Sequence, residues 1–184
     1  MQFKDYQNIH AMLQETVAKK PEHKAFAWIP AAGQTASVNW LEFYQQVTRA
    51  AKSLIALGVN KGDKVNIISY TSYKWILTDQ AIMSIGGCTV GIYQTNLAKD
   101  CAYIINHSDA VLVFVEDIKQ LNKVLSIRNE IPRNRNIILM SGDYEGDEYV
   151  MNYDTFLGLG ESVPDELLQS MTRAVRPDDL ATIV

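Results

Sequence analysis

The chain of 184 residues is 47% hydrophobic and carries a net charge of −4, which suits one mildly acidic α/β domain. It has no basic stripe and no interleaved aromatic and arginine residues, which argues against nucleic-acid binding. Its longest apolar runs, such as residues 111–115, are far shorter than the roughly 20 residues of a membrane-spanning helix, and its start has no signal-peptide core. We therefore expect a cytoplasmic protein without a transmembrane segment, and peripheral contact with a membrane surface stays open.

Residues 1–63 predict a helix, a small hairpin and a packing helix, and we expect them to form one structural unit with a βαβ subdomain at residues 64–184. Two β-prone runs, residues 25–28 and 35–38, flank the turn sequence Pro-Ala-Ala-Gly at residues 30–33. This pattern is typical of a β-hairpin. We expect the hairpin to cover an edge of the main sheet.

A packing helix is predicted directly after the hairpin. Asn39 can cap it, because Glu42 then occupies the third helical position, and Gly58 suits its C-terminal turn. The apolar residues recur at helical spacing and share one face: Trp40, Phe43, Tyr44, Val47, Ala51, Leu54 and Ile55. This face should pack on a sheet.

From residue 64 to residue 184, short β-rich runs alternate with helical patterns. The runs are residues 65–69, 88–93, 111–115, 137–140 and 180–184. Such alternation is typical of βαβ crossovers, so the fold class predicted is α/β with a mostly parallel, Rossmann-like sheet and a small N-terminal hairpin. Ser72 can cap the first of the intervening helices, and later helices begin near Ala98 and Ile118.

The last nine residues combine a polar, proline-containing turn with an apolar run, Arg176-Pro-Asp-Asp-Leu-Ala-Thr-Ile-Val184. No turn residue, cap or polar tail follows this run. We expect Leu180 to open a buried strand that continues beyond Val184.

Phosphate-binding glycine loops of the Walker or dinucleotide type are absent from the sequence. The nearest glycine pair, Gly86 and Gly87, lies between a helix and a strand, an order that favours a helix C-terminal cap. The acidic segment at residues 141–148 lacks the spacing of a calcium loop and is interpreted as a solvated loop.

The histidines and cysteines show no catalytic or metal-binding spacing. His10, His23 and His107 are far apart and are interpreted as surface or capping residues. Cys88 and Cys101 are expected to be small buried hydrophobic residues. We assign no catalytic residue and no metal ligand within this chain.

The best-placed ligand-side segment follows the second predicted strand. Tyr93, Gln94 and Thr95 leave the carboxyl end of a parallel strand, which is where open α/β sheets bind ligands. The alternative is an ordinary turn in which Thr95 or Asn96 caps the next helix.

Several segments together resemble the AMP-forming acyl-CoA synthetases of the adenylate-forming superfamily. They are Gly58-Val-Asn-Lys-Gly-Asp-Lys-Val-Asn-Ile-Ile-Ser69, Trp75, Ile85-Gly-Gly-Cys-Thr-Val-Gly-Ile-Tyr-Gln-Thr95, Tyr103-Ile-Ile-Asn-His-Ser-Asp-Ala110, Val113-Phe-Val-Glu-Asp117 and residues 176–184. The Ile-Tyr-x-Thr form at residues 92–95 resembles the long-chain fatty-acid branch. Two positions depart from the pattern: residues 70–74, where an Asn and a Pro-Glu pair are usual, and Gly91, where proline is common.

The resemblance implies part of the larger N-terminal domain of a long-chain fatty-acid–CoA ligase. Such an enzyme uses ATP with Mg²⁺ to convert a fatty acid to an acyl-adenylate, and CoA then accepts the acyl group. The family's phosphate loop and catalytic motifs are expected beyond Val184, so the chain alone should be inactive, should bind none of these cofactors tightly and should need the remainder of the synthetase as its partner.

Two other hypotheses stay open: a stand-alone binding or interaction module derived from the same fold, and an unrelated nucleotide-binding α/β domain. We also expect the chain to self-associate through apolar surfaces that the rest of a synthetase would cover.

Overall fold

The computed structural model describes residues 5–30 and 33–184. Residues 31 and 32 of the predicted hairpin turn lie outside the described residues. The elements follow in this order: α1 (Ile9–Lys19), β1 (Lys24–Trp28), β2 (Ala36–Asn39), α2 (Trp40–Ala56), β3 (Lys64–Ile68), α3 (Tyr73–Ser84), β4 (Cys88–Ile92), α4 (Ala98–His107), β5 (Leu112–Val115), α5 (Ile118–Ser126), β6 (Asn136–Leu139), β7 (Val150–Asn152), α6 (Tyr153–Leu159), α7 (Asp165–Ala174) and β8 (Thr182–Ile183).

Among the described residues, six strands form one sheet in the order β7-β6-β5-β3-β4-β8. All of its pairings are parallel. The chain steps from β3 to β4 on one side and then crosses back past β3 to β5, so the direction of winding reverses between β3 and β5. A reversal of this kind creates a crevice at the carboxyl ends of the strands. The predicted α/β class with a parallel sheet and a hairpin is confirmed.

The sheet is covered on both faces, which explains why its central strands consist of continuous apolar runs. Val65 and Ile67 of β3 belong to a core shared with α1, α2, α3, α6 and α7. Ile68 belongs to a second core, shared with α4 and α5. In the same way Phe114 faces the first core and Val115 the second, as expected from the two-residue period of a strand.

The capping signals at α2 are confirmed. The Asn39 side chain accepts a hydrogen bond from the Glu42 N–H, and the Glu42 carboxylate accepts one from the Asn39 N–H, both at 2.8 Å. Gly58 has a φ of 75° just after the helix, a conformation that glycine adopts without strain.

The hairpin pairs antiparallel as predicted, but it does not cover an edge of the sheet, and that prediction is wrong. Phe26 contacts Phe43 of α2, with ring centroids 4.7 Å apart. Trp28 stacks on Tyr73 of α3 at 4.2 Å. The aromatic side chains of the hairpin therefore pack their large surfaces against helices.

The short strand β7 was missed by the sequence analysis. It has three half-buried residues and pairs in parallel with β6. A run this short has no alternation that could distinguish it from a loop. It extends the sheet at the edge away from β4.

The last strand exists, but the prediction that it is buried is wrong for this chain. Only Thr182 and Ile183 pair, and their partners are Thr89 and Val90 of β4. Leu180 is 56% exposed and Val184 fully exposed. The apolar residues of this run lack cover because β8 is an edge strand.

Candidate functional site

A cleft with a volume of about 390 Å³ opens at the carboxyl ends of β3, β4 and β8. Its lining comprises Ser69, Tyr70, Thr71, Trp75, Gly91, Ile92, Tyr93, Gln94, Thr182, Ile183 and Val184. None of these eleven described residues carries a charged side chain. The cleft therefore offers aromatic, aliphatic, hydroxyl and amide side chains to a ligand, and no charged side chain.

One wall is the short loop between β3 and α3. The Glu116 carboxylate, at the end of β5, accepts a hydrogen bond from the Tyr70 N–H at 3.1 Å. Ser72 caps α3 as predicted, since its hydroxyl oxygen accepts from the Trp75 N–H at 3.2 Å. The cap fixes the first turn of α3, and Trp75 in that turn lines the cleft.

The opposite wall is the loop after β4, which contains the predicted ligand-side residues. Tyr93, 73% exposed, and Gln94 line the cleft, whereas Thr95 follows them as an exposed residue outside the lining. The Gln94 carbonyl accepts a hydrogen bond from Lys123 Nζ at 2.8 Å. Their assignment as ligand-side residues stays a prediction.

The alternative that Thr95 or Asn96 caps the next helix is wrong. The N-cap position of α4 is Leu97, which makes no side-chain capping bond. The Asn96 N–H instead donates to the Tyr93 carbonyl at 3.0 Å. Thr95 and Asn96 therefore belong to a tight turn that ends before the helix begins.

Gly91 lies in the floor of the cleft. It pairs in register with Ile67 of β3, and a β-carbon added there would meet no atom within 4 Å. The glycine therefore leaves open space between the walls.

A second cavity of about 760 Å³ lies beside the cleft, at the ends of β3, β5 and β6, and the two share Ser69. Lys74 projects into it, donates a hydrogen bond to the Met140 carbonyl and lies 4.9 Å from the centre of the Tyr153 ring. Burial lowers the pKa of Lys74, and the carboxylate of Asp154 opposes this shift. Lys74 and Asp154 thus line the second cavity and not the cleft.

His10 corrects the expectation of a surface histidine. It is 3% exposed, and its Nδ1 lies 2.9 Å from the Ser84 hydroxyl. Burial lowers its pKa to about 4. The other two histidines are exposed, as expected, and His107 stacks on Tyr103 with ring centroids 5.4 Å apart.

The two cysteines and the glycine pair are as predicted. Cys88 and Cys101 are free and buried, and burial raises the pKa of both thiols.

Gly86 has a φ of 79°, and the Gly87 N–H donates to the Ile82 carbonyl at 3.0 Å. The pair closes α3 at the amino end of β4, away from the cleft.

No helix within residues 5–30 and 33–184 is long and apolar enough to cross a membrane. The same residues include no cluster of three His, Cys, Asp or Glu side chains that could hold a metal ion.

A doubly wound parallel sheet with a cleft at the carboxyl ends of its strands defines the class of open α/β ligand-binding domains. Solved structures of a CoA ligase and of an acyl CoA synthetase have the same fold. An anthranilate CoA ligase, AuaEII, crystallised with anthranoyl-AMP, matches 98% of this chain and 32% of its own with a TM-score of 0.78 and 18% identity. A fatty acyl CoA synthetase of Mycobacterium tuberculosis matches 96% of this chain and 32% of its own with a TM-score of 0.69 and 20% identity.

The sequence model of the AMP-binding enzymes matches residues 13–184, and the chain belongs to this family. The long-chain-fatty-acid–CoA ligase ACSBG2 of Xenopus laevis is 30% identical over 177 residues, which are 96% of this chain and 24% of that protein. The long-chain-fatty-acid–CoA ligase FadD15 of Mycobacterium bovis is 30% identical over 180 residues, which are 98% of this chain and 29% of that protein. The chain thus spans about a quarter of the length of these curated relatives.

Proposed function

We propose that this chain is the N-terminal part of an ATP-dependent long-chain fatty-acid–CoA ligase. In the proposed reaction a fatty carboxylate attacks the α-phosphate of ATP, which releases pyrophosphate and leaves an acyl-adenylate. The thiol of CoA then attacks the acyl carbonyl, and AMP leaves. The main support is the match of nearly the whole chain to relatives named as ligases of this kind.

The uncharged cleft supports a role on the acyl side of the reaction. Tyr70, Trp75, Ile92 and Tyr93 present apolar surface, which favours an apolar chain because burying such surface releases water. We assign Tyr93, Gln94 and Thr95 to the ligand-side loop of this acyl site.

The same lining does not fit a magnesium ion or a triphosphate. Mg²⁺ prefers carboxylate and phosphate oxygens, and phosphoryl transfer depends on cationic groups and N–H donors placed around the developing charge. None of the described lining residues has a carboxylate or a cationic group in its side chain. We therefore assign ATP, Mg²⁺ and CoA to the complete enzyme, and we expect the 184-residue chain alone to be inactive.

We further propose that the chain acts in the cytoplasm and that it self-associates when separated from the rest of the enzyme. Tyr93, Leu180 and Val184 expose apolar surface near the cleft and the edge strand, and such surface promotes association. Sedimentation of the chain over a range of concentrations tests this proposal, and a chain that stays monomeric would contradict it.

The catalytic proposal is tested by measuring pyrophosphate and acyl-CoA. The complete protein that carries this chain should release pyrophosphate only when fatty acid, ATP and Mg²⁺ are all present, and it should form acyl-CoA when CoA is added. The 184-residue chain should do neither. A complete protein that is inactive with fatty acids of every chain length would overturn the proposal and favour a binding or interaction module instead.

A further inference from the structure

Two charged side chains bind the backbone of the two loops that form the cleft walls. Lys123 of α5 donates from Nζ to the Gln94 carbonyl, at 2.8 Å. Glu116, at the end of β5, accepts from the Tyr70 N–H at 3.1 Å. Both side chains belong to the continuous unit formed by β5 and α5, which contributes no residue to the cleft lining.

The sheet order gives these contacts their significance. β4 and β5 lie on opposite sides of β3 and do not pair with each other. The bond from Lys123 to Gln94 therefore links the loop after β4 to a helix that follows the far strand. The bond from Glu116 to Tyr70 links the loop after β3 to the same unit. Through two hydrogen bonds, one unit supports both walls.

The chemistry of the two bonds suits a supporting role. Each joins an ionised side chain to a main-chain group, and such charge-assisted bonds are stronger than bonds between neutral groups. Because the partners are backbone atoms, the bonds hold the path of the loop itself and do not restrict a wall side chain. Lys123 and Glu116 are both partly buried, so solvent and salt screen them less than a surface pair.

We propose that Lys123 and Glu116 are positioning residues for the acyl site, and that the β5–α5 unit sets the separation of its walls. The inference rests on the proposed ligase function. Lys123 holds the loop with Tyr93 and Gln94 against the bound chain, and Glu116 holds Tyr70 on the opposite side. Neither residue touches the substrate.

The first test uses steady-state kinetics of the complete enzyme. Lys123→Met removes the ammonium and keeps an apolar side chain of similar length. We expect the KM for fatty acid to rise about tenfold, because small misplacements of positioning groups have effects of this size or larger. The KM for ATP should change less than about twofold, since the loss is confined to acyl binding.

Matched variants distinguish the loss of a positioning contact from a nonspecific loss of enzyme structure. Lys123→Arg keeps a cationic donor and should recover much of the lost affinity. Lys119→Met alters an exposed lysine one turn earlier on the same helix and should match the wild type. Glu116→Gln should also raise the KM for fatty acid, because a neutral amide accepts the Tyr70 N–H less strongly.

The second test needs no activity and uses hydrogen exchange in the complete protein, because the separated chain is expected to associate through the surface near Tyr93. The Asn96 amide, bonded to the Tyr93 carbonyl at 3.0 Å, reports on the wall loop. Its exchange should be faster in Lys123→Met than in the wild type, whereas Lys119→Met should show no change. Slow exchange retained in Lys123→Met would overturn the inference, even if the complete enzyme forms no acyl-CoA.

The two tests distinguish failure of the proposed ligase function from failure of the positioning role. A wild-type enzyme without ligase activity refutes the proposed function, while the exchange measurement still tests whether Lys123 holds the loop after β4. Faster exchange in Lys123→Met with an unchanged KM for fatty acid would leave Lys123 a purely structural contact, and the positioning role would be wrong.

Discussion

The buried imidazole of His10 should make the stability of the chain depend on pH. The Ser84 hydroxyl donates to the Gln80 carbonyl at 2.6 Å, so its oxygen accepts from His10 Nδ1–H at 2.9 Å. In the neutral ring, the single proton is therefore on Nδ1. Burial lowers its pKa from 6.5 to about 4, because a charged imidazolium would lose its hydration.

The unfolded chain therefore binds a proton at His10 more readily than the folded chain does. The stability from this group is fully present above pH 6.5 and is lost as the pH falls toward 4. The two pKa values give a loss of about 2 kcal/mol between pH 8 and pH 5, and about 3 kcal/mol once both states are protonated.

Urea unfolding of the wild type and of His10→Gln at pH 8 and pH 5 measures this term. Gln cannot titrate, so the variant should lose about 2 kcal/mol less than the wild type over this interval. His23→Gln, which alters an exposed histidine, should behave like the wild type. Equal losses in the wild type and His10→Gln would refute the reasoning.

Three local substitutions test the cap of α2 and the packing beside it. Asn39→Ala removes the side chain that caps the Glu42 N–H and should lower the free energy of unfolding by about 1 kcal/mol; thermal unfolding that does not change would contradict the cap. Gly160→Ala would place a β-carbon 2.7 Å from the Arg49 carbonyl and should destabilise by about 1–3 kcal/mol. The matched change Gly158→Ala, in a helix with no atom within 4 Å, should stabilise by up to about 1 kcal/mol. Equal effects of the two glycine changes in urea unfolding would contradict the steric argument.

The cleft shows how far sequence reasoning reached at the site. The position of Tyr93 and Gln94 in the cleft lining could be predicted, because their loop leaves the carboxyl end of a parallel strand, and their role toward a ligand stays a prediction. Lys123 and Glu116 could not be found, because their contacts depend on the strand order β4-β3-β5. No sequence pattern in the chain places α5 within reach of the loop after β4.

His10 and the two edge strands show a different limit. His10 has no sequence signal for burial, since the pocket around it is built by Tyr44 of α2 and Ser84 of α3. The strand β7 is too short to be recognised, and β8 has the composition of a buried strand without the cover that burial requires. For His10 and β7 the deciding neighbour lies elsewhere in the chain, whereas the described residues provide no cover for β8.

The amino-acid sequence alone determined helices α1 to α5, the central strands and the resemblance to acyl-CoA synthetases. These depend on side-chain periodicity, caps and turns, which act over a few residues. Only the tertiary structure decided that the hairpin packs on helices, that β8 is exposed and that one β5–α5 unit supports both walls of the cleft. Such features depend on the order of strands and on contacts between distant residues, which local rules do not specify.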